Sequence, residues 1–255
     1  MYLILRPKSK LANSVKCFND AGIEALGCAL IDTPVLPLAE TILDDLQQCS
    51  PDIIIVTSTV AADIYASTLN KKAGISSSSP LIFIGVGVTT TKKLRALGLQ
   101  VIQADPPNSE GIVAVVQQLK LDKANVAILK GKGGRKLISE SLSMLGFIVT
   151  EFNVYERIVL KEPFYTKGVY AEGLDTKSFM AQNIQCIIAT STEIIDAAYN
   201  VFEANWLNSR HWLVVSKRTK QHLTALGANN IIVSNGATDS HLIAAVNQVK
   251  GSQHE

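Results

Sequence analysis

The residues of this chain whose types suit chemistry are hydroxyls gathered where apolar runs end. Thr57, Ser58 and Thr59 close one such run, Thr90 follows another just past Gly87, and Thr190, Ser191 and Thr192, then Thr219, repeat the arrangement in the second half. At the C-terminal ends of parallel strands, such residues sit beside helix N-termini, where free backbone N–H groups and the positive dipole end favour anions. Each is explained equally well as a simple N-cap, stabilising its helix by about 1 kcal/mol. That two halves of the chain repeat the set in matching places points further, to two anion-binding rims facing one cleft.

Other chemistries find little support. Gly85-Val86-Gly87-Val88-Thr89-Thr90 opens like a dinucleotide fingerprint, but Thr90 stands where the third glycine belongs. Lys130-Gly131-Lys132-Gly133-Gly134-Arg135 lacks the order of a phosphate-binding P-loop. No GxSxG, HExxH or HRD-type motif occurs. Cys17, Cys28, Cys49 and Cys186 match no zinc or CxxC spacing, and His211, His222, His241 and His254 form no ligand set, so a metal site is not expected.

The elements that must position the hydroxyls come from an internal repeat. Ile84 to Gly98 is echoed by Leu213 to Gly227, with Val86/Val215, Thr90/Thr219, Leu94/Leu223, Ala96/Ala225, Leu97/Leu226 and Gly98/Gly227 in common. Upstream, Ile53 to Thr59 answers Cys186 to Thr192; downstream, Asn108 to Val116 answers Thr238 to Val246. Each copy reads as strand, tight turn, helix and glycine stop. A further unit, Ala127 to Tyr155, completes the first copy directly, whereas its counterpart for the second copy is the N-terminal Leu3 to Ile31, where Arg6 precedes Gly22 as Lys130 precedes Gly146.

The fold expected is therefore α/β, with two similar domains, each a parallel sheet covered by helices on both faces. One domain is expected from residues 1–35 plus 160–255, and the other, inserted, from 38–155. The two-proline segment Thr33 to Pro37 and the segment Tyr155 to Pro163 are read as the two connectors, and a mobile pair of domains is expected. Strands are expected at Tyr2 to Arg6, Glu24 to Asp32, Ile53 to Thr57, Leu81 to Ile84, Gln100 to Gln103, Asn125 to Leu129, Phe147 to Val154, Cys186 to Ala189, Trp212 to Val215 and Ile231 to Val233. Helices are expected at Lys8 to Ala21, near Val60, Thr90, Glu110 and Arg135, and around Glu193 to Glu203, Thr219 to Leu226 and Ser240 to Val249. The serine-rich Lys71 to Pro80 reads as an exposed loop, and Gly251 to Glu255 as a frayed tail.

With 255 residues, 47% of them hydrophobic and 18% charged, the chain can fill two ordinary cores. A net charge of +2 without Lys/Arg runs argues against a nucleic-acid face. No signal-peptide pattern opens the chain and no stretch of about 18 apolar residues is present, so a cytoplasmic, membrane-free protein is expected.

These residues together resemble the uroporphyrinogen-III synthase family. The resemblance rests on Leu5-Arg6-Pro7, the run into Thr57-Ser58, the Gly87-x-x-Thr90 turn with Leu94 and Gly98, Gly131 with Gly134-Arg135, Gly146 with Val149 and Tyr155, and the Thr190-Ser191 and Thr219 units. It spans nearly the whole chain. Departures stand at Ser216 and Lys217, where Gly-Pro is common, and at Lys130, often arginine; the first bears on the backbone of the second rim.

The resemblance implies two α/β domains joined by a two-stranded connector, and an enzyme of tetrapyrrole synthesis working as a monomer without cofactor or metal. It implies cyclisation of hydroxymethylbilane with loss of water and inversion of ring D, through a spiro intermediate, to uroporphyrinogen III. Tyr155 is then the candidate to hydrogen-bond the departing hydroxyl, since a phenol donates without being charged at neutral pH. The substrate's carboxylates would meet Thr57, Ser58, Gly87, Thr90, Thr190, Ser191, Ser216 and Thr219, with Arg6, Lys130 and Arg135 as candidate ion partners. The residues also fit a two-domain binding protein that turns nothing over, while a nucleotide-dependent enzyme would need phosphate loops that are not found.

Overall fold

The computed structural model describes residues 1–69, 81–167, 180 and 182–251. Lys71 to Pro80 lies outside the described residues, as does the tail beyond Gly251. The chain divides into two compact units, Met1–Thr33 with Ile158–Glu255 and Pro34–Arg157.

The Pro34–Arg157 unit contains α2 (Leu38–Cys49), β3 (Ile53–Val56), α3 (Thr59–Leu69), β4 (Ile82–Gly85), α4 (Val88–Arg95), β5 (Val101–Gln103), α5 (Ser109–Gln118), β6 (Asn125–Gly131), α6 (Leu137–Met144) and β7 (Ile148–Tyr155). Its five strands run β5-β4-β3-β6-β7, all parallel. The central strand β3 is Ile-Ile-Ile-Val with no residue exposed, because apolar clusters cover both of its faces. A strand sandwiched this way has no polar face, which is why it reads as an unbroken apolar run.

The other unit contains β1 (Tyr2–Leu5), α1 (Lys8–Asp20), β2 (Ala25–Asp32), β8 (Ile158–Thr166), β9 (Cys186–Ala189), α7 (Thr192–Val201), α8 (Ala204–Asn208), β10 (His211–Val214), α9 (Lys217–Ala225), β11 (Ile231–Val233) and α10 (Asp239–Gly251). Its sheet runs β11-β10-β9-β1-β2-β8. The first five strands are parallel, and the inner ones, β9, β1 and β2, are buried between two apolar clusters while β11 at the edge is partly exposed.

The structure departs from the sequence reading in three elements, one of them the short α8. The segment read as the second connector, Tyr155 to Pro163, carries the end of β7 and most of β8, and β8 pairs antiparallel with β2, so this sheet is mixed. Pro163 is tolerated there because β8 is an edge strand, where one row of N–H groups has no ladder partner to lose. The second departure is α2, to which the sequence reading assigned no helix. Its apolar Ala39, Ile42, Leu43 and Leu46 recur at helical spacing and are buried.

Parallel pairing in register brings the strand ends that matter to one edge of each sheet. In the Pro34–Arg157 unit Val56 pairs with Gly85 and with Leu129, and Gly131 pairs with Tyr155. In the other unit Ala189 pairs with Leu5 and with Val214.

Candidate functional site

Along the C-terminal edge of the Pro34–Arg157 sheet stand the Gly87 turn after β4, Thr57-Ser58 after β3, the glycine-rich turn after β6 and Tyr155 ending β7. Thr57 closes β3 by hydrogen-bonding the Leu129 carbonyl through both its N–H, at 3.1 Å, and its hydroxyl, at 3.2 Å. Ser58 caps α3, its hydroxyl accepting the Ala61 N–H at 3.1 Å. Gly87 is the N-cap of α4 and brings no side chain, so among the described residues the first turn of that helix has no side-chain cap. Thr90, in that turn, is 3% exposed, and its hydroxyl makes no hydrogen bond among the described residues.

Tyr155 is 4% exposed. Its main chain is held from both sides: the carbonyl accepts the Lys132 N–H at 2.7 Å, and an isolated antiparallel bridge joins it to Val35. The phenol has no hydrogen-bond partner among the described residues and is not one of the buried orphan atoms, so it keeps access to solvent.

The edge of the other sheet repeats these positions. Ser191 caps α7 by accepting the Ile194 N–H at 3.3 Å, and Thr190 beside it is half-buried. Ser216, the N-cap of α9, has φ −161° and ψ 161°, against −161° and 174° at Gly87. Serine in place of glycine therefore leaves the backbone unchanged. It does change the hydrogen bonding: Ser216 accepts the Thr219 N–H at 3.2 Å, while the Thr219 hydroxyl accepts the Ser216 N–H at 3.1 Å and lies 2.8 Å from the Ser216 carbonyl. This capping box occupies the Thr219 hydroxyl, which Thr90 keeps free.

The basic candidates are already engaged. Arg6 is 8% exposed, donates from Nη2 to the Ala237 carbonyl at 2.7 Å and pairs with Asp239 at 3.0 Å. Burial pulls its pKa down, with Asp239 opposing. Lys130, 9% exposed, pairs with both oxygens of Glu151 at 3.2 Å. Burial pushes the Glu151 carboxyl up, but hydrogen bonds from Ser139 and Lys130 outweigh it and leave the carboxyl below its ordinary value. Arg135 is a surface side chain 3.5 Å from Glu110, a pair of little energetic weight. The partners Asp239 and Glu151 escaped the sequence reading because nothing local couples Arg6 to a residue near the opposite chain end.

The two buried thiols are not activated: burial pushes Cys186 up to about 12 and raises Cys28 further. Among the described residues no His, Cys, Asp and Glu cluster could hold a metal ion, and no helix is long and apolar enough to cross a membrane.

Comparison with known proteins gives one family. The family model described as HEM4, uroporphyrinogen-III synthase HemD, matches residues 14–244. The uroporphyrinogen-III synthase of Escherichia coli K12 is 25% identical over 170 residues, covering 64% of this chain and 66% of that relative, just under two thirds of its length. That of Proteus mirabilis is 24% identical over 160 residues, 62% of this chain and 80% of the relative. Among solved structures, a mutant uroporphyrinogen III synthase from Thermus thermophilus covers 100% of both chains with TM-score 0.63 at 13% identity. The uroporphyrinogen-III synthetase of Helicobacter pylori 26695 covers 97% of this chain and 99% of its own, with TM-score 0.60 at 16% identity. These two structures show likeness of fold.

Proposed function

The chain belongs to the uroporphyrinogen-III synthase family, and from this premise we propose that it cyclises hydroxymethylbilane, with loss of water and inversion of ring D, to uroporphyrinogen III. The observation that carries the chemistry is the Tyr155 phenol, unpartnered yet accessible, at the edge that also presents the uncapped α4 and the free Thr90 hydroxyl. Departure of a hydroxyl needs a hydrogen-bond donor, and Tyr155 fills that role: its O–H donates to the leaving oxygen, which departs as water once protonated. The electron-poor carbon left behind is captured by ring D at its substituted position, giving a spiro centre; its opening and reclosure through the unsubstituted position invert the ring and release a proton, which restores the Tyr155 phenol.

The hydroxyls and helix N-termini have a different task. Substrate carboxylates accept hydrogen bonds from the backbone N–H groups after Thr57 and Gly87 and from the Thr90 hydroxyl, which orients the chain without a strong acid or base. Ser58 holds the first of these turns, and in the other unit Ser191 and Thr219 hold the turns after Thr190 and Ser216. Arg6 and Lys130 support the edges through their acidic partners, and Arg135 offers an exposed cation at the surface. We assign the reaction to a cytoplasmic monomer.

Supplying hydroxymethylbilane to the purified protein and separating the product isomers tests the proposal. Uroporphyrinogen III is expected. Exclusive formation of the uninverted isomer at the spontaneous rate would leave a binding protein as the better reading.

A further inference from the structure

The Tyr155 ring lies directly over the backbone of Gly131. A Cβ placed on Gly131 would stand 2.6 Å from the ring Cζ, 2.9 Å from Cε2 and 2.9 Å from the hydroxyl oxygen, all closer than real Cβ contacts come. The two residues face one another because the β6/β7 register shifts between Lys130 and Gly131, which sets Gly131 opposite Tyr155 after Lys130 has paired with Asn153. The irregularity thus turns the phenol onto a bare stretch of main chain. Gly131 is not among the glycines with positive φ, so its backbone has no conformational need for glycine. The space taken by the ring is what excludes a side chain there.

We propose that Gly131 is a positioning residue for Tyr155: the missing side chain forms the seat on which the phenol rests, and this fixes where its O–H points. The inference rests on the catalytic reading of Tyr155. The main chain is already clamped by Lys132 N–H and by the Val35 bridge, so a methyl at 131 is relieved mainly by displacing the ring. Misplacing a reacting group by about 1 Å costs on the order of 10²-fold. Part of that loss is recovered by water replacing the phenol, so about a 10-fold fall in kcat is expected for Gly131→Ala, with KM little changed.

The test combines kinetics with nuclear magnetic resonance of ring-labelled tyrosine. Gly131→Ala is expected to shift the Tyr155 ring signal, assigned by its loss in Tyr155→Phe, and to lower kcat about 10-fold in the wild-type background but less than about 2-fold in the Tyr155→Phe background. An unmoved ring signal, or an equal loss of kcat in both backgrounds, overturns the proposal. Tyr155→Phe turning over at the wild-type rate overturns the catalytic reading itself, whatever the ring signal does, and the positioning role falls with it. Should Gly131→Ala not fold, the Gly131 resonances of the unaltered position decide: ring current makes them shift in Tyr155→Leu and stay nearly fixed in Tyr155→Phe, and equal shifts in the two refute the seat.

Discussion

The turns at Gly87 and Ser216 occupy the same place in two similar sheets and share one backbone geometry, yet they end in opposite states. At Ser216 the capping box uses the hydroxyls of both Ser216 and Thr219, so the first turn of α9 is satisfied from within. At Gly87 no side chain among the described residues caps the first turn of α4, and Thr90, equally buried, makes no hydrogen bond among them. One serine-for-glycine difference separates a rim closed for stability from one left open for a ligand. The strand ends beside them follow the same division. Arg6, near the closed rim, is held by a largely buried acid pair, whereas the glycine-rich turn beyond Lys130 seats Tyr155.

The ion pairs give the largest test of this asymmetry. Asp239→Asn leaves the Arg6 guanidinium buried with one carbonyl partner, and a loss of about 3 kcal/mol in unfolding free energy is expected. Glu151→Gln is expected to cost about 1 kcal/mol, because the Glu151 side chain is 30% exposed and water screens the orphaned Lys130. The second cost also depends on pH. A carboxyl held below its ordinary value stabilises the fold above that value and stops doing so as pH falls through the lower folded one, so the gap between wild type and Glu151→Gln should close in acid. Urea titrations at neutral and acid pH measure both, and equal costs at neutral pH would erase the distinction.

A smaller effect separates the two threonines. Thr219→Val removes hydrogen bonds to the N–H and carbonyl of Ser216, and about 1 kcal/mol of stability should be lost. Thr90→Val removes none, so the fold should be unchanged within about 0.5 kcal/mol while KM for the bilane rises. Chemical denaturation run beside steady-state kinetics would show the crossing pattern; the reverse assignment would mean that Thr90 is the structural residue.

The smallest expected shift in stability comes from Gly87→Ser. The extended φ at Gly87 suits any residue, and a Cβ there meets only Pro107 at 3.5 Å, an ordinary contact. The introduced hydroxyl can cap α4, adding a few tenths of a kcal/mol. It should at the same time weaken substrate binding by occupying the N–H and hydroxyl of Thr90. A more stable protein with unimpaired KM would show that the open turn serves no ligand.

How much of this was legible depends on the range of the interaction involved. β3 and β9 declare themselves because burial on both faces demands an unbroken apolar run, and the hydroxyls after them because capping is local. Helix α2 was readable in principle from Ala39, Ile42, Leu43 and Leu46 but was masked by the prolines before it. The antiparallel β8 was not readable, since edge pairing leaves little local trace beyond the tolerance of Pro163. Nor was the engagement of Arg6 by Asp239, which depends on α10 returning to the first strand, or the seating of Tyr155, which depends on a register shift.

The most direct measurement is the rate at which Tyr155→Phe forms uroporphyrinogen III, set beside Thr90→Ala, Thr219→Ala and Arg135→Ala under one set of conditions. Tyr155→Phe is expected to be the slowest of the four, down by on the order of 10²-fold in kcat with binding little changed. Turnover of Tyr155→Phe at the wild-type rate would contradict the assignment of the proton donor and leave the open rim with a binding role alone.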